Sequence, residues 1–202
     1  MRFLGLSLFV FVTMSLACAQ PDDPFVFKTP KDWRSERIPF PLDFAKDLDF
    51  KGFEELRFAP GMFDPKSESY FTYVFLWWLE GKPAIDAKRL ESDLAKYYKG
   101  LCGAVGKSRG LQLDLDKVRA KVQPSKPDES RITHQATSFF AVVDCYDAFV
   151  TGKPLTLNVE IAVWPCDASN RVVLFVCVSA KPRDHGLWKQ LREVRKAFKC
   201  HK

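Results

Sequence analysis

Cys145, Glu160 and Cys177 stand in three consecutive segments that read as β-strands. Tight turns between those segments would set the three side chains opposite one another on one face of a sheet. A carboxylate flanked by thiols in a pocket activates a nucleophile or titrates abnormally, so Glu160 is the centre of one enzymatic reading. The opposing reading leaves Glu160 on the polar face of its strand with Thr156 and Asn158.

Other chemistry-bearing stretches fail on spacing. "GLCGAVGKS", residues 100–108, has the Gly-Lys-Ser of a phosphate-binding loop, but Leu101 stands where the loop needs its first glycine. "DLDFKG", from Asp47 to Gly52, opens like a calcium loop, yet Lys51 and Phe58 occupy positions that must donate oxygen. No Cys-x-x-Cys pair is present, and His134, His185 and His201 lack ligand spacing. There is no Gly-x-Ser-x-Gly elbow. The expectation is therefore a chain without metal or cofactor, and a binding protein rather than an enzyme.

The elements that carry these residues follow from periodicity. "GFEELRF", residues 52–58, reads as a strand, and so does "YFTYVFLWWLEG", residues 70–81, which is aromatic and β-branched throughout. The latter has Phe71, Tyr73, Phe75, Trp77 and Leu79 on one face and Tyr70, Val74, Leu76 and Trp78 on the other. Such a strand has no face for water, so it must be covered twice, or covered once and turned to a cavity or partner. The turn between these strands, "RFAPGMFDP", carries Phe58, Met62 and Phe63 where turns are usually polar. These side chains either plug the edge of a doubly covered sheet or form the mouth of a binding site. Met62, Phe63, Tyr73, Phe75 and Trp77 are the candidates for contact with an apolar ligand or a protein partner.

Ala87, Leu90, Leu94, Tyr97 and Leu101 recur at helical spacing after Asp86, a natural N-cap, and Gly100, Gly103 and Gly106 are expected to mark the helix end. "DKVRAKVQ" alternates as a half-exposed strand, with a short helix as the alternative. "HQATSFFAVVDCYDAFV", "LTLNVEIAVW" and "RVVLFVCVSA" read as strands joined by "TGKP" and "PCDASN", which have hairpin-turn composition. Leu187, Leu191, Val194 and Phe198 then form the apolar stripe of a closing helix. Strands, helix, meander, helix is an α+β order: a single domain with an antiparallel sheet of about six to seven strands and two main amphipathic helices packed on it.

The first residues place a basic Arg2 before an apolar run from Leu4 to Leu16 and the small-residue site Ala17-Cys18-Ala19. This is the order of a secretory signal peptide over residues 1–19, with cleavage expected after Ala19. The run is 13 residues, short of the ~20 that span a bilayer. "SLAC" also reads as a lipoprotein box that would acylate Cys18, although Ser15 stands where such boxes carry Leu. The mature domain, residues 20–202, is expected to be secreted or periplasmic with no membrane-spanning segment, and lipid-tethered if Cys18 is acylated.

The formal charge of +6 is concentrated at the C-terminus, where Lys181 to Lys202 hold eight Lys/Arg against two acids. Lys189, Arg192, Lys196 and Lys199 are the polar face of the last helix, or a patch for an anionic envelope surface. A basic patch confined to one helix with no recognition motif excludes nucleic acid as the expected partner. Cys102, Cys145, Cys166, Cys177 and Cys200 are the disulfide candidates of the mature chain. Their odd number leaves at least one unpaired within the chain, and Cys166 with Cys200 is the expected bridge, strand end to helix end.

The signal segment, the "KTPKDWRSERIPFP" stretch, the antiparallel sheet and the closing helix together resemble extracytoplasmic proteins with the Mog1/PsbP-like fold. The resemblance carries none of their diagnostic motifs, so it implies a fold and no activity.

Intact-mass measurement of the protein from its native compartment is expected to show a chain beginning at Gln20. A mass that retains residues 1–19 contradicts the signal peptide, and a diacylglyceryl increment on Cys18 replaces simple cleavage with lipid tethering.

Overall fold

The computed structural model describes residues 23–126, 136–166 and 169–201. The signal segment with Cys18, and His134, lie outside them. In chain order the elements are β1 (Phe25–Val26), β2 (Arg34–Pro39), β3 (Gly52–Phe58), β4 (Tyr73–Glu80), α1 (Ala87–Ser108), β5 (Arg119–Ser125), β6 (Thr137–Tyr146), β7 (Pro154–Cys166), β8 (Arg171–Ser179), α2 (Leu187–Ala197) and β9 (Lys199–Cys200). Seven strands form one antiparallel sheet in the order β2-β3-β4-β8-β7-β6-β5, while β1 and β9 pair separately. The architecture is α+β, as the element order requires. Among the described residues no helix is long and apolar enough to cross a membrane.

The two-faced strand is covered twice. Tyr73, Phe75, Trp77 and Leu79 enter a core roofed by α1 and by Leu42, Leu48 and Phe50 of the β2–β3 connection. Val74, Leu76 and Trp78 enter a second core with Trp188, Leu191 and Val194 of α2 and with Phe25. Phe75 stacks on Tyr97 of α1, with ring centroids 5.4 Å apart. The Cys166–Cys200 disulfide closes the second layer, joining the end of β7 to β9. Cys102, Cys145 and Cys177 remain as buried thiols.

The structure departs from the sequence expectations in three places. β2 lies within the Pro-rich lead, where no strand is expected; it pairs with β3 from Arg34↔Phe58 to Pro39↔Phe53 and forms a sheet edge, where proline is tolerated. The described β4 begins at Tyr73 rather than Tyr70. The segment 119–125 is the strand its alternation predicts, β5, preceded by a single 3₁₀ turn at Leu115–Lys117. Finally, the glycines do not end α1, which continues to Ser108. A Cβ at Gly100 would sit 1.9 Å from the Phe44 carbonyl oxygen and one at Gly106 would sit 2.8 Å from Leu113. These glycines let adjoining chain pack against the helix rather than stop it. Asp86 caps the N-terminus as expected, its carboxylate accepting from the Arg89 amide at 2.7 Å.

Gly100→Ala tests this close approach. In an ordinary helix interior the change gains about 1 kcal/mol, whereas here overpacking is expected to cost about 1–3 kcal/mol. A shift of the urea midpoint to higher concentration contradicts the close-approach account.

Candidate functional site

The cover over the α1 face is incomplete at its β2–β3 end, and a cavity of ≈ 440 Å³ opens there. Ile38, Leu56 and Phe58 supply the sheet side, and Phe44, Tyr97 and Leu101 the opposite side. The Pro/Gly turn contributes Met62, Phe63 and Phe71, and Phe149 arrives from the β6–β7 connection. Arg34 and Glu36 of β2 complete the charged part of the wall.

Local chemistry fixes this rim. Gly61 adopts φ +80, which an L side chain resists, and a Cβ there would meet Ser67 Oγ at 2.2 Å. The turn is then closed by the Phe71 amide donating to the Met62 carbonyl at 2.9 Å. Phe71 itself stands at φ 51, a left-handed conformation that costs a bulky residue of order 1–3 kcal/mol. Asp147 accepts from the Val150 and Thr151 amides and, at 2.6 Å, from the Tyr70 hydroxyl. That carboxylate ties the loop bearing Phe149 to the segment bearing Phe71. Burial alone would raise Asp147, but its hydrogen bonds hold it below the usual range, while burial and the same partner push Tyr70 up to about 12.

Of the apolar candidates, Met62, Phe63 and Tyr73 line this cavity, with Met62 and Tyr73 buried and Phe63 half-buried. The turn thus both plugs the sheet edge and walls an opening. Phe75 and Trp77 are fully buried in the adjoining core. β4 accordingly offers no flat exposed aromatic face for a permanent subunit contact.

The residue that sequence reasoning missed is Glu54. It is 0% exposed, it borders the floor of the cavity, and it stands beside Trp77 across the β3–β4 ladder. The Trp77 indole donates to Oε1 at 3.0 Å, and among the described residues Oε2 has no hydrogen-bond partner. Burial pushes the carboxyl up from 4.5 to about 7, with Trp77 and Tyr97 opposing and the Glu36 charge adding to the rise. Its neighbour Glu55, on the other face, receives Arg37 and Arg57.

Glu160 is also buried, but not between two thiols. It pairs with Cys177 on β8 and with Phe140, not Cys145, on β6. Cys145 pairs with Leu155 and faces the α1 core. The expected juxtaposition fails because the β6–β7 connection is a wide loop built on Asp147 rather than a tight turn. Glu160 instead meets Arg192 at 2.7 Å, Arg183 at 3.1 Å and Arg195 at 3.5 Å. Burial would raise its carboxyl, but hydrogen bonds from Arg192 and the charges of Arg195 and Arg192 hold it below its ordinary value. A carboxylate so neutralised anchors α2 to the sheet. Arg192 therefore belongs to this buried cluster rather than to a solvated patch, while Lys189, Lys196 and Lys199 are exposed. Among the described residues no group of three or more His, Cys, Asp or Glu is placed to hold a metal ion.

No protein-family model, curated protein or solved structure matches the chain. The likeness to the Mog1/PsbP-like fold thus rests on its own sequence features alone, and the function must be read from the cavity.

The elevated Glu54 pKa has a thermodynamic sign. The folded carboxyl keeps its proton between 4.5 and about 7, where the unfolded one has lost it. Its contribution is complete below the lower value and is lost as pH rises through the upper. Glu54→Gln is expected to unfold at higher urea than the wild type, by a margin that grows from pH 5 to pH 8. Contributions from Glu160 and other groups cancel in that difference, and a pH-independent margin contradicts the assignment.

Proposed function

We propose that the protein is an extracytoplasmic, non-enzymatic binding protein that takes an apolar small ligand into the cavity between β2–β3, α1 and the Pro/Gly turn. The observation that carries this reading is the cavity itself. At ≈ 440 Å³ it falls within the roughly 300–1,000 Å³ of small-molecule sites, which are concave and mostly apolar with few polar groups. Its walls are mainly aromatic and aliphatic, and Glu54 supplies a polar group at the floor. Strain at Phe71 on the rim adds support, because sparsely populated backbone conformations cluster at binding sites.

Residues 1–19 would deliver the domain out of the cytoplasm, with Cys18 as a lipid tether if it is acylated. The Cys166–Cys200 disulfide supports an oxidising compartment. The exposed Lys189, Lys196 and Lys199 would then face an anionic envelope surface, on the opposite side of the sheet from the cavity.

Nile red, an uncharged apolar dye whose emission shifts to the blue when it leaves water, is expected to bind the folded protein. Leu101→Trp, which adds an indole to the cavity wall, is expected to weaken that binding by at least about tenfold, or 1.4 kcal/mol. Equal binding to both chains places the dye elsewhere and contradicts the ligand reading, as does no binding to either.

A further inference from the structure

Three buried glutamates distinguish the two faces of the sheet. Glu55 and Glu160, on the α2 face, are each met by arginine, two for the first and three for the second. Glu54, on the α1 face, is met by the Trp77 indole at one oxygen, and among the described residues its second oxygen, beside the cavity, has no hydrogen-bond partner. A buried polar oxygen left in that state is destabilising, and a hydrogen-bonding partner brought by a ligand offsets the loss.

The donor's chemistry is set by its surroundings. The titratable or charged groups facing the cavity are Arg34 and Glu36 from β2, Glu54 from β3, Tyr73 from β4 and Tyr97 from α1. Arg34 already lies over the Phe63 ring, 5.3 Å from its centroid. Among the described residues lining the cavity, two acids, of which Glu54 ionises as pH passes through about 7, stand against this single cation. Phe58, Phe71 and Tyr97 line the cavity, and an aromatic ring whose face meets a cation attracts it, whereas it repels an anion.

We propose that the cavity binds an organic ammonium, a ligand whose apolar body lies among the aromatic walls and whose protonated amine pairs with the carboxylate of Glu54. This rests on the reading of the cavity as a ligand site. Glu54 is closed to a water-sized sphere in the empty protein, so the amine reaches Oε2 when a wall side chain changes rotamer. That burial keeps the Glu54 carboxyl protonated to about pH 7. Ammonium binding requires the ionised form, so it releases that proton. Affinity therefore rises as pH passes through about 7 and holds until the amine loses its own proton, near the lysine value of about 10.4.

Three probes that differ in head group, 4-phenylbutylamine, 4-phenylbutanol and 4-phenylbutanoate, are to be titrated against bound Nile red at pH 5.5, 7 and 8.5. The amine is expected to displace the dye at least about tenfold more tightly than the other two at pH 8.5, a difference of 1.4 kcal/mol. That preference is expected to shrink at pH 5.5 and to vanish in Glu54→Gln. Should the variant fail to fold, the three probes and their pH profile in the wild-type chain decide alone. Dye binding with equal displacement by all three, or with preference for the alcohol or the acid, overturns the ammonium proposal and leaves the cavity reading standing. Absence of dye binding to the wild type overturns both.

Discussion

Tyr73 to Leu79 of β4 are all buried, their side chains alternating into two apolar layers. A strand with no polar face must lie inside its sheet, where both neighbours satisfy its backbone and both faces are roofed. β3 and β8 provide the neighbours. α1 with the β2–β3 connection roofs one face; α2 with the β1–β9 pair and its disulfide roofs the other. The elements that look peripheral, a two-residue strand at each end of the described chain and an irregular loop, are thus required covers.

The covers are unequal, and that inequality creates the site. On the α2 face the aromatic side chains of Phe25, Trp78, Phe175 and Phe198 pack together and the buried carboxylates have arginine partners. On the α1 face the roof runs out at the β2–β3 edge, where the strand pair extends beyond the helix. Aromatic residues from the turn and from the β6–β7 loop surround that gap without filling it. The Tyr70–Asp147 hydrogen bond joins the two rim segments that carry Phe71 and Phe149.

The features legible in the sequence are those set by periodicity over many residues. The two faces of β4, the start of α1 with its Asp86 cap, the meander of β6, β7 and β8 and the Cys166–Cys200 bridge all follow from residues that repeat or terminate as their elements require. The features that were not legible depend on distance across the fold. In "FEELRF" the two glutamates are chemically identical, but Glu55 shares its face with Arg57 two residues on and meets Arg37, 18 residues before it, across the β2–β3 pair. The register of Cys145 was misjudged because one loop, shaped by Asp147 side-chain hydrogen bonds, is wider than a tight turn. The glycines of α1 carry the same lesson, since their role is set by Phe44 and Leu113, which the helical pattern does not contain. One signal for Glu54 was present and could have been used: in "GFEELRF" one of two adjacent acids must face the side of the sheet that β4 fills with aromatic residues.

Glu54 has no counterpart to the arginines that serve Glu55 and Glu160. A carboxyl against Trp77, Tyr97 and Leu56 destabilises the charged form by desolvation, and an uncharged side chain of similar shape would remove that penalty. Nor does it anchor a helix, as Glu160 does, or join strands at the sheet edge, as Glu55 does through Arg37. Trp77 donates to one carboxyl oxygen and the Tyr97 hydroxyl lies close by, yet among the described residues nothing meets Oε2 within hydrogen-bond distance. A group that costs the empty fold stability and stands beside a preformed cavity becomes intelligible when the missing partner is a ligand. On the proposed reading the unsatisfied oxygen belongs to the binding site, and the elevated pKa follows from its burial.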